Sequence, residues 1–285
     1  MSKIKKLFKR IFPMTASSMQ KEINKLHAAI GEIVATQTQL AQALENVHNM
    51  TRLLEQTMAA AKKSETHAAE TVWAAVFHDT ICDSNWLHNK TFSPGRWAVG
   101  YPFLYALYHI LSKMQPSNIL ELGLGQSTRM ISQFAENSEA RHFVVENDSE
   151  WINFFKKDFN LSGKVVQLNY KVVSYKDAAE VRVYSDFVET LSEYGKYDFI
   201  MIDAPLGGDM IHYSRIDVLG LLPQCLSDTF VIMIDDVERL GEHNTIKEIT
   251  SILSDSNREY AVGYYGGDKR CAVIASANMK FLCSL

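Results

Sequence analysis

The sequence predicts an α/β protein in which a doubly wound, mostly parallel sheet follows a long N-terminal coiled-coil helix. From Gly100 onward, short apolar runs alternate with helical patterns, and alternating β and α segments form a parallel sheet covered by helices. Between Met19 and Met58, apolar residues instead recur in a heptad pattern, which is typical of a coiled coil. The predicted segments are 1–17, 18–80 and 81–285.

Length and composition suit one large globular domain with an extension. The chain has 285 residues, of which 47% are hydrophobic and 22% charged. The net charge of −4 argues against a general nucleic-acid binder. The four cysteines form no CxxC pair, which indicates ordinary thiols of a reducing compartment. Because no apolar run could cross a bilayer and no signal-peptide core is present, we expect a cytoplasmic protein.

Segment 1–17 is predicted as a basic head. Residues 1–12 carry lysines and one arginine but no acid, and their apolar residues recur at helical spacing. Such a helix can lie on an anionic membrane surface, here the inner face of the membrane, and a solvated tail is the alternative. One short helix binds membrane weakly, whereas several copies on one oligomer bind more tightly.

Segment 18–80 is predicted as a coiled-coil helix that assembles a homo-oligomer. Its apolar positions step by four and three residues for roughly six heptads. Gln37 and Thr51 occupy core positions of this pattern, where polar residues cost stability but fix the register. So narrow a stripe favours self-association over the alternative, a single helix folded back on the domain.

Segment 81–285 carries the predicted sheet. The runs YDFIMIDAP and TFVIMIDDV are apolar on both faces, as central parallel strands are. YAVGYY and CAVIAS flank a glycine turn and are typical of a hairpin. In chain order, the strands before that hairpin are NILELG, RHFVVE, KVVQLNYKVV, YDFIMIDAP and TFVIMIDDV.

Glycines or acids follow four of these strands, at the edge where such sheets bind ligands. Gly123 and Gly125 allow a sharp bend and a close ligand approach, and Ser127 or Thr128 can cap the next helix. Glu146 follows the second strand, where a carboxylate can accept the hydroxyls of a ribose. Each signal alone also fits plain packing, but four at one edge favour a binding site. The acids after the fourth and fifth strands are Asp203, Asp235 and Asp236.

From about Trp86 to its end, the chain resembles class I S-adenosylmethionine-dependent methyltransferases. ELGLGQST resembles the first motif of that family, and Glu146 in VVEND resembles its ribose-binding acid. Within the superfamily, FVVENDSEWI, YDFIMIDAPLG and MIDDVER resemble the glucuronoxylan O-methyltransferase-like group and bacterial methyltransferases of surface-glycan assembly. The third glycine of a dinucleotide fingerprint is missing, which leaves nicotinamide binding as a minor alternative.

The resemblance implies S-adenosylmethionine as the cofactor and gives its contacts. The methionine part would pass over Gly123 and Gly125, Glu121 would help to hold its amino group, and Glu146 would bind the ribose. Asn147 and Asp148 would flank the adenine. The cofactor-binding residues expected in this way are Glu121, Gly123, Gly125, Ser127, Glu146, Asn147 and Asp203.

The resemblance also implies methyl transfer to a nucleophile whose proton must be removed. For a sugar hydroxyl, Asp203 or His212 is the expected proton acceptor, and the alternative for His212 is an ordinary loop residue. A second route is assisted by a metal, because catechol O-methyltransferase-like enzymes place metal ligands where this chain has Asp203, Asp235 and Asp236. Oxygen ligands suit Mg²⁺ or Mn²⁺. Helix caps and hydrogen-bonded loop anchors are the alternative for these acids.

Further residues are candidates for binding the acceptor. Arg96 and Arg215 could pair with the carboxylate of an acidic sugar, although ordinary surface arginines are as good an interpretation. For Trp97 and Tyr101, we expect core packing rather than contact with cofactor or sugar.

The sequence therefore predicts an S-adenosylmethionine-dependent O-methyltransferase that acts on a glycan or sugar-containing acceptor. The rival hypothesis is a non-catalytic scaffold, in which a methyltransferase-like domain on a coiled coil recruits glycan-assembly enzymes. The intact set of Glu121, Gly123, Gly125 and Glu146 argues against a degenerate site.

Overall fold

The structure is a computed structural model that describes residues 3–4, 6–7, 16–95 and 97–285. Most of the predicted basic head, and Arg96, lie outside the described residues. The chain divides into two compact units, Met1–Lys62 and Lys63–Leu285. None of the described helices contains a stretch apolar and long enough to span a membrane.

The helices and strands follow the predicted alternation. The helices are α1 (Ala16–Ile81), α2 (Tyr101–Met114), α3 (Gln126–Ser138), α4 (Ser149–Asp158), α5 (Phe187–Ser192) and α6 (Leu240–Asp255). The strands are β1 (Asn118–Leu122), β2 (Arg141–Glu146), β3 (Lys164–Gln167), β4 (Tyr170–Tyr175), β5 (Ala178–Tyr184), β6 (Tyr197–Ile202), β7 (Leu226–Ile234), β8 (Tyr260–Gly266) and β9 (Arg270–Ser276). Two short 3₁₀ helices cover Ile216–Leu221 and Ala277–Cys283.

In the first unit, α1 carries the heptad stripe on its surface. Ile30, Ile33 and Leu40 are 55%, 58% and 60% exposed. The prediction of a long helix is confirmed. Self-association of this helix into a coiled coil remains a prediction.

In the second unit, the last turns of α1 belong to the domain. Phe77 and Ile81 are buried in its core, and Trp73 packs against the same cluster. The sequence placed the start of the domain at residue 81, whereas the compact unit begins at Lys63. The reason is that these aromatic and aliphatic side chains bury apolar surface against the sheet.

The central sheet has seven strands in the order β3–β2–β1–β6–β7–β9–β8. The strands from β3 to β7 in this order are parallel, and β9 pairs antiparallel with both β7 and β8. The predicted α/β sheet and its terminal hairpin are confirmed. In a dinucleotide-binding sheet of strand order 3-2-1-4-5-6, the strand at the position of β9 is parallel to its neighbours, whereas here β9 is antiparallel.

The two faces of the sheet are both covered, as a doubly wound fold requires. Alternate residues of β1 point to opposite faces. Leu120 joins the core cluster that includes α5 and α6, and Ile119 joins the cluster that includes α2, α3 and the end of α1. Strand order reverses between β1 and β6, which places a ligand-binding crevice at the carboxyl end of β1.

The predicted strand KVVQLNYKVV is two strands in the structure. β3 pairs with β2 only as far as Gln167, opposite Glu146. Beyond that point β2 has ended, and the chain pairs instead with β5 to form a separate two-stranded antiparallel sheet. The apolar pattern continues across the break, so the sequence did not reveal it.

Candidate functional site

A cavity of about 440 Å³ opens at the carboxyl ends of β1, β2 and β6. Its volume lies within the range of small-molecule sites. The lining includes Gly123, Gly125, Glu146, Asn147 and Asp203, which the sequence had predicted as site residues. The strand ends that carry these residues therefore meet at one place.

The glycine bend after β1 forms the floor of this cavity. Gly123 has φ +99°, a left-handed backbone conformation that residues with a side chain rarely adopt. A Cβ added at this position would lie 3.1 Å from Cβ of Ala204. At Gly125 an added Cβ would meet no atom within 4 Å. The backbone here is thus open to a ligand, and a side chain at Gly125 would occupy the ligand's space.

Glu121 lies behind the bend rather than in the cavity. Its Oε1 accepts hydrogen bonds from Ser127 Oγ (2.7 Å) and Thr128 Oγ1 (2.9 Å), and its Oε2 lies 2.8 Å from His142 Nε2. The carboxylate is completely buried, and neither Glu121 nor Ser127 lines the cavity. Both residues fix the start of α3 and the β1–β2 pair, so they position the bend without reaching a ligand in this arrangement.

Glu146 is held at the edge of the cavity by the backbone. Its Oε1 accepts from the N–H groups of Asn147 (2.8 Å) and Asp148 (3.0 Å), and its Oε2 accepts from Leu124 N–H (3.2 Å). A carboxylate has about four acceptor sites. Three of them are used by the protein, which leaves one for a hydroxyl of a ligand.

Asp148 has a structural role at the same edge. Its Oδ1 accepts from the N–H groups of Glu150 (2.8 Å) and Trp151 (3.0 Å) and so caps α4. The cap orients Trp151, whose indole donates to Leu124 O at 2.7 Å and whose ring lines the cavity. The hydrogen bond of the indole N–H to the backbone therefore holds this ring in place at the cavity wall.

The sequence missed several aromatic residues of the site. Trp151 and Tyr170 line the cavity, although Trp151 lies within α4 and Tyr170 begins β4, so neither directly follows the carboxyl end of a strand. Trp97 also lines it and is 88% exposed, so the expectation of core packing was wrong for this residue. Tyr101 does pack against Phe77, with ring centroids 5.9 Å apart.

The three predicted acids come together beside the cavity. One carboxylate oxygen from each of Asp203, Asp235 and Asp236 lies within 4.8 Å of the others. Asp235 and Asp236 are almost completely buried, whereas Asp203 faces the cavity. Three adjacent carboxylates require positive charge, hydrogen bonds or protons.

Three cations of the protein lie against this acid cluster, namely Arg215, Lys269 and Arg239, whose Nη1 is 2.9 Å from Asp236 Oδ2. Arg215 Nη2 is 2.8 Å from Asp236 Oδ2 and 3.2 Å from Asp203 Oδ1. Lys269 Nζ is 3.5 Å from Asp235 Oδ2 and 3.4 Å from Asp236 Oδ1. The cluster is thereby neutralised in large part by side chains of the same chain.

The residues therefore do not fit a divalent metal ion. A metal bound to these oxygens would have to share them with Arg215 and Lys269 and would lie in direct contact with both positive charges. The three oxygens are close enough together for a metal ion, but the cations beside them argue against the metal-assisted mechanism drawn from the resemblance to catechol O-methyltransferase-like enzymes.

We expect the protein to bind no Mn²⁺ at this cluster. Mn²⁺ added at an equimolar amount should keep the electron paramagnetic resonance signal of the free ion, because the ammonium and guanidinium groups beside the carboxylates already neutralise their charge and would repel a second cation. A stoichiometric loss of that signal, reversed by Asp235→Asn, would show that the metal displaces Lys269.

Arg215 is not available to an acceptor. It is 2% exposed, and its Nη1 and Nε donate to the backbone oxygens of Asp235 (2.9 Å) and Pro205 (3.3 Å). Its remaining donors bind the acid cluster, so the structure replaces the expected contact with a sugar carboxylate by a structural role. Position 215 follows a loop, and the sequence alone gave no sign of burial.

His212 lies away from the cavity lining. Its side chain is exposed, and its Nδ1 is 3.9 Å from Asp177 Oδ2. Of the two residues proposed from the sequence as proton acceptors, only Asp203 faces the cavity. The structure thus favours Asp203 for that role.

The electrostatics of the cluster differ from one acid to the next. Burial raises the pKa of Asp203 to about 6, with Arg215 opposing this shift and Asp236 adding to it. Burial, reinforced by Asp203, also raises the pKa of Asp235 well above its usual range. Although burial opposes it, Arg215 and Lys269 hold the pKa of Asp236 below its usual value. Asp203 is therefore a carboxylate that can accept a proton near neutral pH.

Comparison with known proteins gives similar structures but no family. No protein-family model matches the chain, and no curated protein matches it. Among solved structures, it is similar to the SAH-bound methyltransferase PaMTH1 of Podospora anserina, with 16% identity, a TM-score of 0.42, and coverage of 77% of this chain and 94% of the other. A putative caffeoyl-CoA O-methyltransferase from Staphylococcus aureus has 14% identity and a TM-score of 0.38, with coverage of 79% and 100%. The precorrin-6y C5,15-methyltransferase of Geobacter metallireducens has 16% identity and a TM-score of 0.38, with coverage of 59% and 86%.

Proposed function

We propose that the protein is an S-adenosylmethionine-dependent O-methyltransferase that acts on a glycan or sugar-containing acceptor. The observation that carries this proposal is the carboxylate of Glu146, which three backbone N–H groups hold at the cavity edge with one acceptor site left over. This site suits a ribose hydroxyl. The open backbone at Gly125 suits the methionine part, and the ring of Trp151 suits a flat base.

Side chains of the protein supply the general base and hold it in position. When bound, S-adenosylmethionine supplies a methyl carbon activated by a positively charged sulfur. Asp203 takes the proton of the acceptor hydroxyl, since it faces the cavity and its pKa of about 6 leaves it ionised at neutral pH. Arg215, 3.2 Å away, keeps the carboxylate in place.

The acceptor class is supported by the sequence resemblance to polysaccharide methyltransferases. The test is transfer of a labelled methyl group from S-adenosylmethionine to a panel of mono- and oligosaccharides, with small phenols as the comparison. We expect label on sugar hydroxyls and none on phenols. Label on the phenols alone would overturn the acceptor class, and no transfer to any acceptor would favour the scaffold hypothesis.

We also propose that α1 assembles a homo-oligomer through its heptad stripe. The exposed isoleucines and leucines of α1 support this, because a continuous apolar stripe on a single helix in water is unfavourable. Several copies of the basic head on one oligomer would hold the protein at the inner face of the membrane by avidity. The lysines and apolar residues of 1–12 in the sequence support this placement.

A further inference from the structure

Two large apolar side chains stand at the opening of the cofactor cavity. Trp97 and Leu206 line this cavity, yet they are 88% and 60% exposed. A side chain that lines a cavity and is also largely exposed lies at the mouth of that cavity. Single exposed apolar residues are common on protein surfaces, but these two share their cavity with Asp203, the proposed base.

The two side chains reach the mouth from opposite faces of the sheet. Val99, two residues beyond Trp97, is buried in the core cluster on the side of α2 and α3. The loop that carries Leu206 is instead bound by Arg182 of β5, and Tyr184 of the same strand belongs to the cluster on the side of α5 and α6. A ligand that enters the cavity therefore meets an aromatic ring on one side and an aliphatic side chain on the other.

Arg182 holds the Leu206 side of the mouth in place. Its guanidinium donates to Leu206 O (2.8 Å) and to the two carboxylate oxygens of Asp209 (3.1 and 2.7 Å). Such a bidentate pair fixes geometry as well as charge. The intervening Gly207 is closely packed, because an added Cβ there would overlap two neighbouring side chains. The backbone of this wall is thus fixed by contacts within the protein.

The cofactor leaves this mouth to the acceptor. In the proposed arrangement, the ribose lies at Glu146 after β2, and the methionine part lies over the glycine bend after β1. The next strand in the sheet is β6, about 4.8 Å further on, and Asp203 follows it. Leu206 comes shortly after Asp203 in the same loop. The acceptor hydroxyl therefore reaches Asp203 on the β6 side of the mouth.

A sugar ring suits a mouth of this composition. A pyranose presents C–H bonds on its two faces and hydroxyl groups around its edge. The face of an aromatic ring carries partial negative charge and attracts such C–H groups. A sugar can therefore lie flat on an indole while its hydroxyl groups stay free for a base at the edge of the ring.

We propose that Trp97 binds the acceptor by stacking: a sugar ring of the acceptor lies on its indole, with Leu206 on the other side and one hydroxyl at Asp203. This inference rests on the proposed function and adds to it a residue that selects the acceptor. Trp97 contributes to the affinity for the acceptor and leaves the affinity for the cofactor unchanged.

The test is sugar binding by Trp97 variants of the full chain. The probe is methyl β-D-glucopyranoside, titrated with S-adenosylhomocysteine present and observed by saturation-transfer difference NMR. Trp97→Ala should lower the sugar affinity roughly tenfold, the usual contribution of an aromatic contact. Trp97→Phe keeps an aromatic face and should retain most of the affinity. Because Trp97 is exposed, neither change disturbs the core.

Phe281→Ala is the matched control. Phe281 is also an exposed aromatic residue, at 46%, but it does not line the cavity, so this variant should bind the sugar as wild type does. Equal sugar affinity in Trp97→Ala and wild type would overturn the inference. So would a wild type that binds S-adenosylhomocysteine but gives no sugar signal.

The affinity for S-adenosylhomocysteine, measured in the same samples, separates this inference from the proposed function. A loss of that affinity in Trp97→Ala, with an unchanged circular dichroism spectrum, would place the indole on the cofactor and overturn the stacking of the acceptor. Failure of wild type to bind S-adenosylhomocysteine would overturn the proposed function itself.

Discussion

Asp203→Asn is expected to lower kcat by about 10²–10⁴-fold, the usual contribution of a positioned general base. The amide has nearly the same shape but cannot accept the hydroxyl proton. Asp203 is the one member of the acid cluster that faces the cofactor cavity among the described residues, so neither buried neighbour can replace it. The affinity for S-adenosylmethionine should change little, because Glu146 and the glycine bend are untouched. Steady-state kinetics with labelled cofactor measure both quantities.

The pH dependence of kcat should follow the ionisation of Asp203. Below a pKa of about 6, Asp203 carries a proton and cannot accept another, so wild-type kcat should fall as pH drops through 6 and level off above it. Residual activity of Asp203→Asn should lack this step. His212→Ala is the control and should behave as wild type, since His212 is exposed and away from the cavity. Loss of activity in His212→Ala with retention in Asp203→Asn would assign the base to His212 instead.

The double variant Ile30→Asp/Ile33→Asp is expected to dissociate the oligomer. Both residues lie at core positions of the heptad pattern, and each copy would bring two unpaired charges into the interface at a cost of several kcal/mol per assembly, on the order of 3 kcal/mol or more. The domain from Lys63 onward should keep its fold, because its core contains neither residue. Light scattering at equal protein concentration measures the change in mass.

Ala28→Asp/Ala35→Asp is the matched control for the oligomer. It adds the same charge to the same helix at positions opposite the stripe, so its mass should equal that of the wild type. Binding to vesicles that contain anionic lipid should weaken in the isoleucine variant and persist in the control, because avidity is lost only in the former. A wild type that is monomeric at micromolar concentration would show that α1 does not self-associate.

The parts of the site that the sequence predicted correctly are those with a local signal. Asp203, Asp235 and Asp236 each follow a strongly apolar run, and parallel strands bring their carboxyl ends to one edge. Gly123 and Gly125 were recognisable because few other residues allow such a bend. Strand periodicity and the positions of glycines and acids were therefore enough to locate the cofactor cavity.

The parts that the sequence did not predict depend on contacts between distant segments. Arg215 and Lys269 enter the acid cluster from a loop and from the hairpin tip, and nothing in their neighbouring residues indicates a buried ion pair. His142 pairs with Glu121 only because β1 and β2 lie side by side. As long as these partners were unknown, the three acids were interpreted as possible metal ligands and Glu121 as a residue that contacts the cofactor. Burial and pairing changed both interpretations.

The end of the coiled-coil segment shows the same limitation. The heptad pattern weakens after Ala61, which agrees with the division at Lys62 and Lys63. The residues that follow remain helical, so helical periodicity alone could not tell a free rod from turns that pack on a domain. Glu70 shows that these turns pack on the domain, because its carboxylate accepts hydrogen bonds from the N–H groups of Tyr101 and Asp268.

Calorimetric titration of S-adenosylmethionine into the full chain tests the central claim most directly. Wild type should bind one cofactor per chain. Glu146→Gln, which loses a charge-assisted bond worth about 1.5–3 kcal/mol, should bind roughly tenfold to a hundredfold more weakly. Glu150→Gln, an exposed neighbour on α4, should bind as wild type does. No binding by the wild type, or equal affinity in wild type and Glu146→Gln, would contradict the assignment of this cavity to S-adenosylmethionine.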